Sequence, residues 1–271
     1  MSANLAWNKM LSKVLSFGKQ CYPRNKKTLE VLSHTSVINM NYPVITIPER
    51  KMNYSFMCGE AYWILSGSNK VKDIEPFMKA ITKFSDNGIH FDGAYGPKVV
   101  DQLNYVCLTL LNDMDSRQAV LNIWRENPRE SKDIPCTLSL QFTIRNNRLH
   151  CIVNMRSSDG WLGWVYDIFN FSMISAWVAI YLRQNNGFHN LQLGNLHLHA
   201  GSQHLYQSNW QISIDIVKQL IKKNTYKNIE FNIDAYKLPE QLVEDLFDCG
   251  MGSNSFQDSF FHDIAMIRGK K

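Results

Sequence analysis

Residues 134–159 read IPCTLSLQFTIRNNRLHCIVNMRSSD. Apolar and polar residues alternate over 138–144 and again over 149–155, and the Asn146-Asn147 pair between them tolerates left-handed backbone, so the stretch predicts a β-hairpin. On that hairpin Cys136 opens the first strand and Arg156 closes the second. Adjacent strands bring the guanidinium close to the thiol, and a nearby cation favours the thiolate, the form that acts as nucleophile. Most cysteines are small core hydrophobes, so only its company sets Cys136 apart.

Around the hairpin, Trp7, Leu11, Val14 and Leu15 share one helical face, which Gly18 and Pro23 bring to a stop. A second apolar helical stretch over 57–65 ends at Ser66-Gly67, and 92–97 (DGAYGP) is a turn cluster. Strands are predicted at 191–199 and 228–233, with helices at 212–221 and 240–249. The run 161–182 is long and apolar, but it carries Asp167, Asn170, Ser172 and Ser175. A carboxylate at a bilayer centre costs roughly 3 kcal/mol, so the run reads as a buried helix with a polar entry rather than a membrane span. Strands and helices mixed without a regular βαβ cadence imply the α+β class. No repeat or Gly/Ser linker divides the chain, and one domain over 1–271 is expected.

The 271 residues, 45% hydrophobic and 20% charged, exclude a disordered or fibrous chain and suffice for a sizeable core without staples. Six dispersed cysteines with no Cys-x-x-Cys pair, and no charged-then-apolar leader, imply a reducing, cytoplasmic setting. The net charge of +5 is spread out apart from 24–27, 222–223 and 270–271, which suits a small anionic ligand better than nucleic acid.

Three linked motifs carry a resemblance. The run 134–142 (IPCTLSLQF), then 156–167 (RSSDGWLGWVYD), then 193–199 (LGNLHLH) is similar in order and spacing to the thymidylate synthase superfamily. Upstream, 60–65 (EAYWIL) resembles that family's Glu-containing helix, 93–96 (GAYG) its Gly-Pro-x-Tyr-Gly turn, and Asp115-Ser116-Arg117 its Asp-Ser-Arg segment. Arg24 stands where the family has a mobile phosphate arginine. The resemblance covers about residues 5–205 and fades beyond. It implies a thymidylate synthase-like α+β fold, a mixed β-sheet with surrounding helices, and a homodimer formed through the sheet.

The resemblance also implies chemistry. Cys136 would add to C6 of a pyrimidine nucleotide, with 5,10-methylenetetrahydrofolate as the one-carbon donor to C5 and Glu60 organising proton transfers. Arg24, Arg156 and Ser157 would hold the phosphate, joined by Arg117 reaching into the neighbouring subunit's site. His197 and His199 would meet the sugar and Tyr95 the base, with Asp159, Gly163 and Trp63 on the folate. Trp161 and Trp164 are expected to be packing residues. His197 and His199 alternate onto one strand face, but without a third ligand no metal is expected.

The chain departs from the family at informative places. Asp167 replaces the asparagine that reads the pyrimidine edge. Uracil offers an O4 acceptor and an N3–H donor, and cytosine reverses both. A carboxyl accepts from the cytosine amino group and, when it carries a proton, donates toward N3. Asp167 therefore implies a cytosine nucleotide, as in the family's phage deoxycytidylate hydroxymethylases. The alternative is that Asp167 merely caps the helix that follows. Gln118 replaces a second arginine, Asn25-Lys26-Lys27 a Gly-rich stretch, and His199 a tyrosine, which leaves CMP open beside dCMP. The run 264–271 lacks the family's Pro-His-Pro segment, so water is expected to enter and leave a hydroxymethyl group. A thymidylate synthase, a dUMP hydroxymethylase and a non-catalytic nucleotide- or RNA-binding protein remain the alternatives.

Overall fold

The computed structural model describes residues 1–127, 130–223 and 226–269. Lys270-Lys271 and the side chains of Lys222 and Lys223 lie outside the described residues. Among the described residues, alternating burial builds one six-stranded sheet from β1 (Lys19–Cys21), β2 (Thr28–Asn39), β3 (Val120–Asn122), β4 (Thr137–Arg145), β5 (Arg148–Asp159) and β6 (Gln192–Tyr206). Their order is β1-β2-β6-β5-β4-β3. Every neighbouring pair is antiparallel except β5 and β6, so the sheet is mixed.

The predicted hairpin forms in register, with Phe142 opposite Cys151 and Arg145 opposite Arg148. Asn146 and Asn147 take φ of 52° and 56°, the two positive values that a tight two-residue turn needs to match strand twist. The parallel β5–β6 pair requires a crossover, and the apolar run supplies it. That crossover is the helix Trp164–Arg183, whose residues are almost all buried. It is long and apolar enough to cross a membrane, yet protein covers it, which makes it the core helix of this fold. Its serines satisfy themselves locally, Ser172 Oγ donating to Ile168 O and Ser175 Oγ to Phe171 O, both at 2.7 Å.

In chain order the helices are α1 (Ala3–Phe17), α2 (Tyr54–Leu65), α3 (Val71–Ile74), α4 (Gly96–Asn112), α5 (Trp164–Arg183), α6 (Trp210–Lys223), α7 (Pro239–Met251) and α8 (Ser259–Arg268). Trp7, Leu11 and Val14 turn α1 inward as their spacing predicts, and Trp7 Nε1 donates to Gly160 O at 2.7 Å. The turn cluster at 92–97 opens α4. Trp161 and Trp164 are both buried, and the rings of Trp161 and Trp7 lie 5.5 Å apart.

Two expectations need correcting. The strand predicted at 191–199 continues to Tyr206, because β2 runs alongside it from Asn39 back to Thr28. The segment 228–233 is not a strand. Ile229, Phe231 and Ile233 do alternate inward, but the backbone of this segment bonds to a loop rather than to the sheet. Phe231 N donates to Asn41 O at 2.7 Å, Thr46 Oγ1 donates to Lys227 O at 2.7 Å, and a 3-10 turn begins at Ile233.

Helices α2 and α7 approach closely where two glycines meet one ring. A Cβ added at Gly59 would lie 2.2 Å from Phe77 Cγ, and one added at Gly250 would lie 2.7 Å from Phe77 Cε1. This contact sets the depth of α2, the helix that carries Glu60. Gly59→Val is expected to cost about 3 kcal/mol through overpacking, read as a lower urea midpoint; an unchanged midpoint would show that the ring yields freely.

Candidate functional site

A cavity of about 250 Å³ lies among α2, the loops before α4 and β4, and the first turns of α5. Glu60, Trp63, Tyr95, Cys136, Asp167 and Asn170 face it, and five of these six were predicted from sequence. The hairpin positions Cys136 as expected. Arg156 N donates to Cys136 O at 2.8 Å across the two strands. The Arg156 side chain then straps the cysteine loop, Nε donating to Pro135 O and Nη2 to Ile134 O, each at 3.0 Å. Ser157 Oγ donates to the Cys136 sulfur at 3.6 Å.

The expected lowering of the thiol pKa is only partly met. Arg156, Ser157 and Arg24 each favour the thiolate, but burial outweighs them and holds the Cys136 thiol above its ordinary value. A sulfur walled by apolar side chains loses more hydration than three polar neighbours restore.

Glu60, Tyr95 and Asp167 keep some accessible surface because they border the cavity, yet protein surrounds them closely enough that their charged forms are poorly solvated. Burial pushes the Glu60 carboxyl up to about 7, opposed by Asn170, whose Nδ2 donates to Glu60 Oε2 at 2.8 Å. Asp167 is held well above the usual carboxylate range by burial and then by its neighbour Glu60. Two carboxyls in one poorly solvated cavity cannot both ionise cheaply, which is why the charge of Glu60 adds to the raising of Asp167. Burial also raises the Tyr95 phenol, whose oxygen accepts from Thr137 Oγ1 at 2.9 Å.

Asp167 is not the cap of its helix. Gly163 holds the N-cap position, and Asp167 N already donates to Gly163 O at 3.0 Å inside the first turn. A Cβ at Gly163 would lie 3.3 Å from Asp167 Oδ2, so the glycine leaves that carboxyl its room. Asp159 builds the turn ahead of α5, Oδ1 accepting from Trp161 N at 2.8 Å and Leu162 N at 3.1 Å.

The remaining predicted residues stand outside the cavity lining. Arg24 sits between β1 and β2 in left-handed backbone, φ 52°, with Nη2 donating to Tyr206 OH at 3.2 Å. His197 and His199 occupy β6 on the face opposite buried Leu196, Leu198 and Ala200; His199 Nδ1 lies 3.0 Å from Thr35 Oγ1. Arg117 is exposed just before edge strand β3, in a separate concavity with Asp113, Asp115 and Ser116. Sequence reasoning missed Asn170 and an apolar wall of Ile81, Phe84 and Phe91. Asn170 had a signal, an amide inside a largely apolar helix, whereas the wall lies in irregular chain where no periodicity marks it.

Comparison with known proteins adds a lineage. The thymidylate synthase family pattern matches residues 5–251, so the likeness runs well past residue 205. The chain is 29% identical over 236 residues to a deoxyuridylate hydroxymethyltransferase of Bacillus phage SP01, covering 77% of this chain and 59% of that protein. It is 31% identical over 159 residues to the protein of the same name in Pseudomonas phage M6, spanning 45% of its length. A thymidylate synthase of Buchnera aphidicola subsp. Baizongia pistaciae is 24% identical over 212 residues, 73% of this chain and 78% of that one.

The titration of Glu60 has a consequence for stability. Its folded pKa of about 7 lies above the ordinary 4.5, so the fold binds the protonated form better and loses stability as pH rises from about 5 through 7. Glu60→Gln removes that loss. The variant is expected to gain up to about 3 kcal/mol over the parent at pH 8 and nothing below pH 5, measured by urea unfolding; a pH-independent difference would contradict the assignment.

Proposed function

The chain belongs to the thymidylate synthase family, and from that premise we propose that it is a cytoplasmic hydroxymethyltransferase that converts dCMP to 5-hydroxymethyl-dCMP, a precursor for modified phage DNA. The observation that carries the choice of base is Asp167, a carboxyl that faces the cavity with Cys136 and Glu60 and whose protonated form burial favours. Cytosine N3 has a lone pair that can take the Asp167 proton while the other carboxyl oxygen accepts from the amino group. The result is a charge-assisted, two-point pair. Uracil N3 carries a hydrogen and cannot take that proton.

In this reading the Cys136 sulfur adds to C6, and the electron density displaced through the ring toward N3 is met by the Asp167 proton. A thiol that rests protonated needs a base as the substrate enters, and a phosphate dianion on Arg24 and Arg156 would fix the ring beside it. Glu60, titrating near neutrality, can both take and return protons around the exocyclic group. Methylenetetrahydrofolate, when bound, supplies the one-carbon unit to C5. The cavity's residues fit its flat ring system: Trp63, Ile81, Phe84 and Phe91 form an apolar wall, and the buried Trp63 Nε1 has no acceptor among the described residues. Asp159 and Gly163 are proposed to contact it at the turn before α5, and Tyr95 to bound the base.

The proposed assembly is a homodimer of one catalytic domain over 1–271, joined through the sheet face that carries Asn195, His197 and His199. Arg117, remote from its own cavity, would complete the neighbour's phosphate site, and His197 and His199 would meet the sugar. The names of the phage relatives favour hydration over reductive methylation. They also favour dUMP as the second reading, since a neutral carboxyl can turn to give one donor and one acceptor to uracil.

Purified protein incubated with methylenetetrahydrofolate and dCMP, dUMP or CMP is expected to yield hydroxymethylated dCMP by mass spectrometry. Hydroxymethylated dUMP alone would select the second reading, and a methylated product would reject both. Asp167→Asn is expected to shift the dUMP to dCMP ratio of kcat/KM upward by about tenfold or more, whereas an unchanged ratio would remove Asp167 from base recognition.

A further inference from the structure

We propose that Asn170 is the positioning residue for Glu60, holding one carboxyl oxygen so that protons are exchanged with the pyrimidine through the other; the proposal rests on the one-carbon-transfer reading above. Asn170 follows Asp167 by three residues on α5, and positions three apart share a helix face. Both side chains border the cavity. Asn170 is 3% exposed, and its Nδ2 reaches across to α2 to donate to Glu60 Oε2 at 2.8 Å. Among the described residues this is the only hydrogen-bond partner of the Glu60 carboxyl.

The fold has no use of its own for an amide there. Asparagine is a poor helix former, and the two buried serines of α5, Ser172 and Ser175, bond to carbonyls of their own helix. Asn170 does not, and its Oδ1 is buried without a partner. Leucine, of similar shape, would satisfy the helix and leave no orphaned acceptor. A side chain that is locally unfavourable twice over is explained by the one contact it makes.

That contact has a chemical effect. With Oε2 tied to the amide, Oε1 is the oxygen left for the cavity. An N–H donor also favours the carboxylate and so works against burial. Without it, Glu60 would rotate and remain protonated at neutral pH, able to give a proton but not to take one back. Asp167 on α5, Cys136 just ahead of β4, Tyr95 before α4 and Asp133 in the loop before β4 also face this cavity, and among the described residues none of them is hydrogen-bonded to the Glu60 carboxyl. Asn170 is therefore a determinant of Glu60's state distinct from the base-reading aspartate.

The test uses Asn170→Leu in the full chain, with Asn170→Ala as the second variant should leucine fail to fold. Removing the donor is expected to raise the Glu60 pKa, so the Glu60-dependent limb of the kcat–pH profile moves upward by about one unit. At pH 7 kcat falls about tenfold to a hundredfold, while the dissociation constant for the nucleotide stays unchanged. The carbonyl stretch of protonated Glu60, identified by its loss in Glu60→Gln, is followed in parallel by infrared titration. It should persist to higher pH in the Asn170 variant. That band needs no turnover, so an inactive parent protein would reject the one-carbon reading while the titration still judges Asn170. A folded variant whose band and pH profile both stay where the parent's are would overturn the proposal and leave Asn170 a packing residue.

Discussion

Desolvation of two carboxyls is the constraint on which the rest of this site depends. Glu60 and Asp167 approach from different helices into one cavity, and burial there raises both. With full hydration each would be an ordinary carboxylate, with no preference for its protonated form. The aspartate would then present two acceptors to a pyrimidine edge that needs one donor and one acceptor, whichever base is bound. Dryness also explains the thiol, which rests above its ordinary pKa despite three favourable neighbours.

The fold produces that dryness through connectivity. The single parallel pair, β5 with β6, forces a crossover, and the crossover is an almost wholly buried helix whose first turns carry Asp167 and Asn170. The preceding turn, built on Asp159 and closed by Gly163, aims the aspartate inward. Opposite it, α2 is seated by the ring of Phe77 between two glycines, which fixes where Glu60 stands. The antiparallel hairpin delivers Cys136 from a third direction, with Arg156 tying the loop to its partner strand. Each group comes from a different element, so the core and the site are set by the same packing.

Much of this was legible in the sequence because period and turn chemistry are local. The hairpin at 138–155, α1, α5 and α7 follow from alternation, helical spacing and the Asn146-Asn147 turn. The segment 228–233 shows the limit: Ile229, Phe231 and Ile233 alternate like a strand, yet their backbone bonds to the loop at 41–46, a choice made by tertiary contacts. The site residues Cys136, Glu60 and Asp167 were legible through linked motifs rather than through composition. The net pKa of Cys136 was not, since the charge of Arg156 can be read from a sequence but the loss of water around a sulfur cannot. Asn170 was visible as an anomaly whose partner, 110 residues away, only the fold reveals.

The claim that everything else serves is that Cys136 bonds to C6 of a pyrimidine nucleotide within this cavity. Incubation with a 5-fluorinated deoxycytidylate and methylenetetrahydrofolate, followed by peptide mass spectrometry, tests it most directly, because fluorine at C5 cannot leave as a proton does and so arrests the reaction with the bond intact. The expected result is a stable adduct of nucleotide and folate on the peptide containing Cys136, absent when the folate is omitted. An unmodified Cys136 peptide, from protein shown to bind the nucleotide, would contradict it.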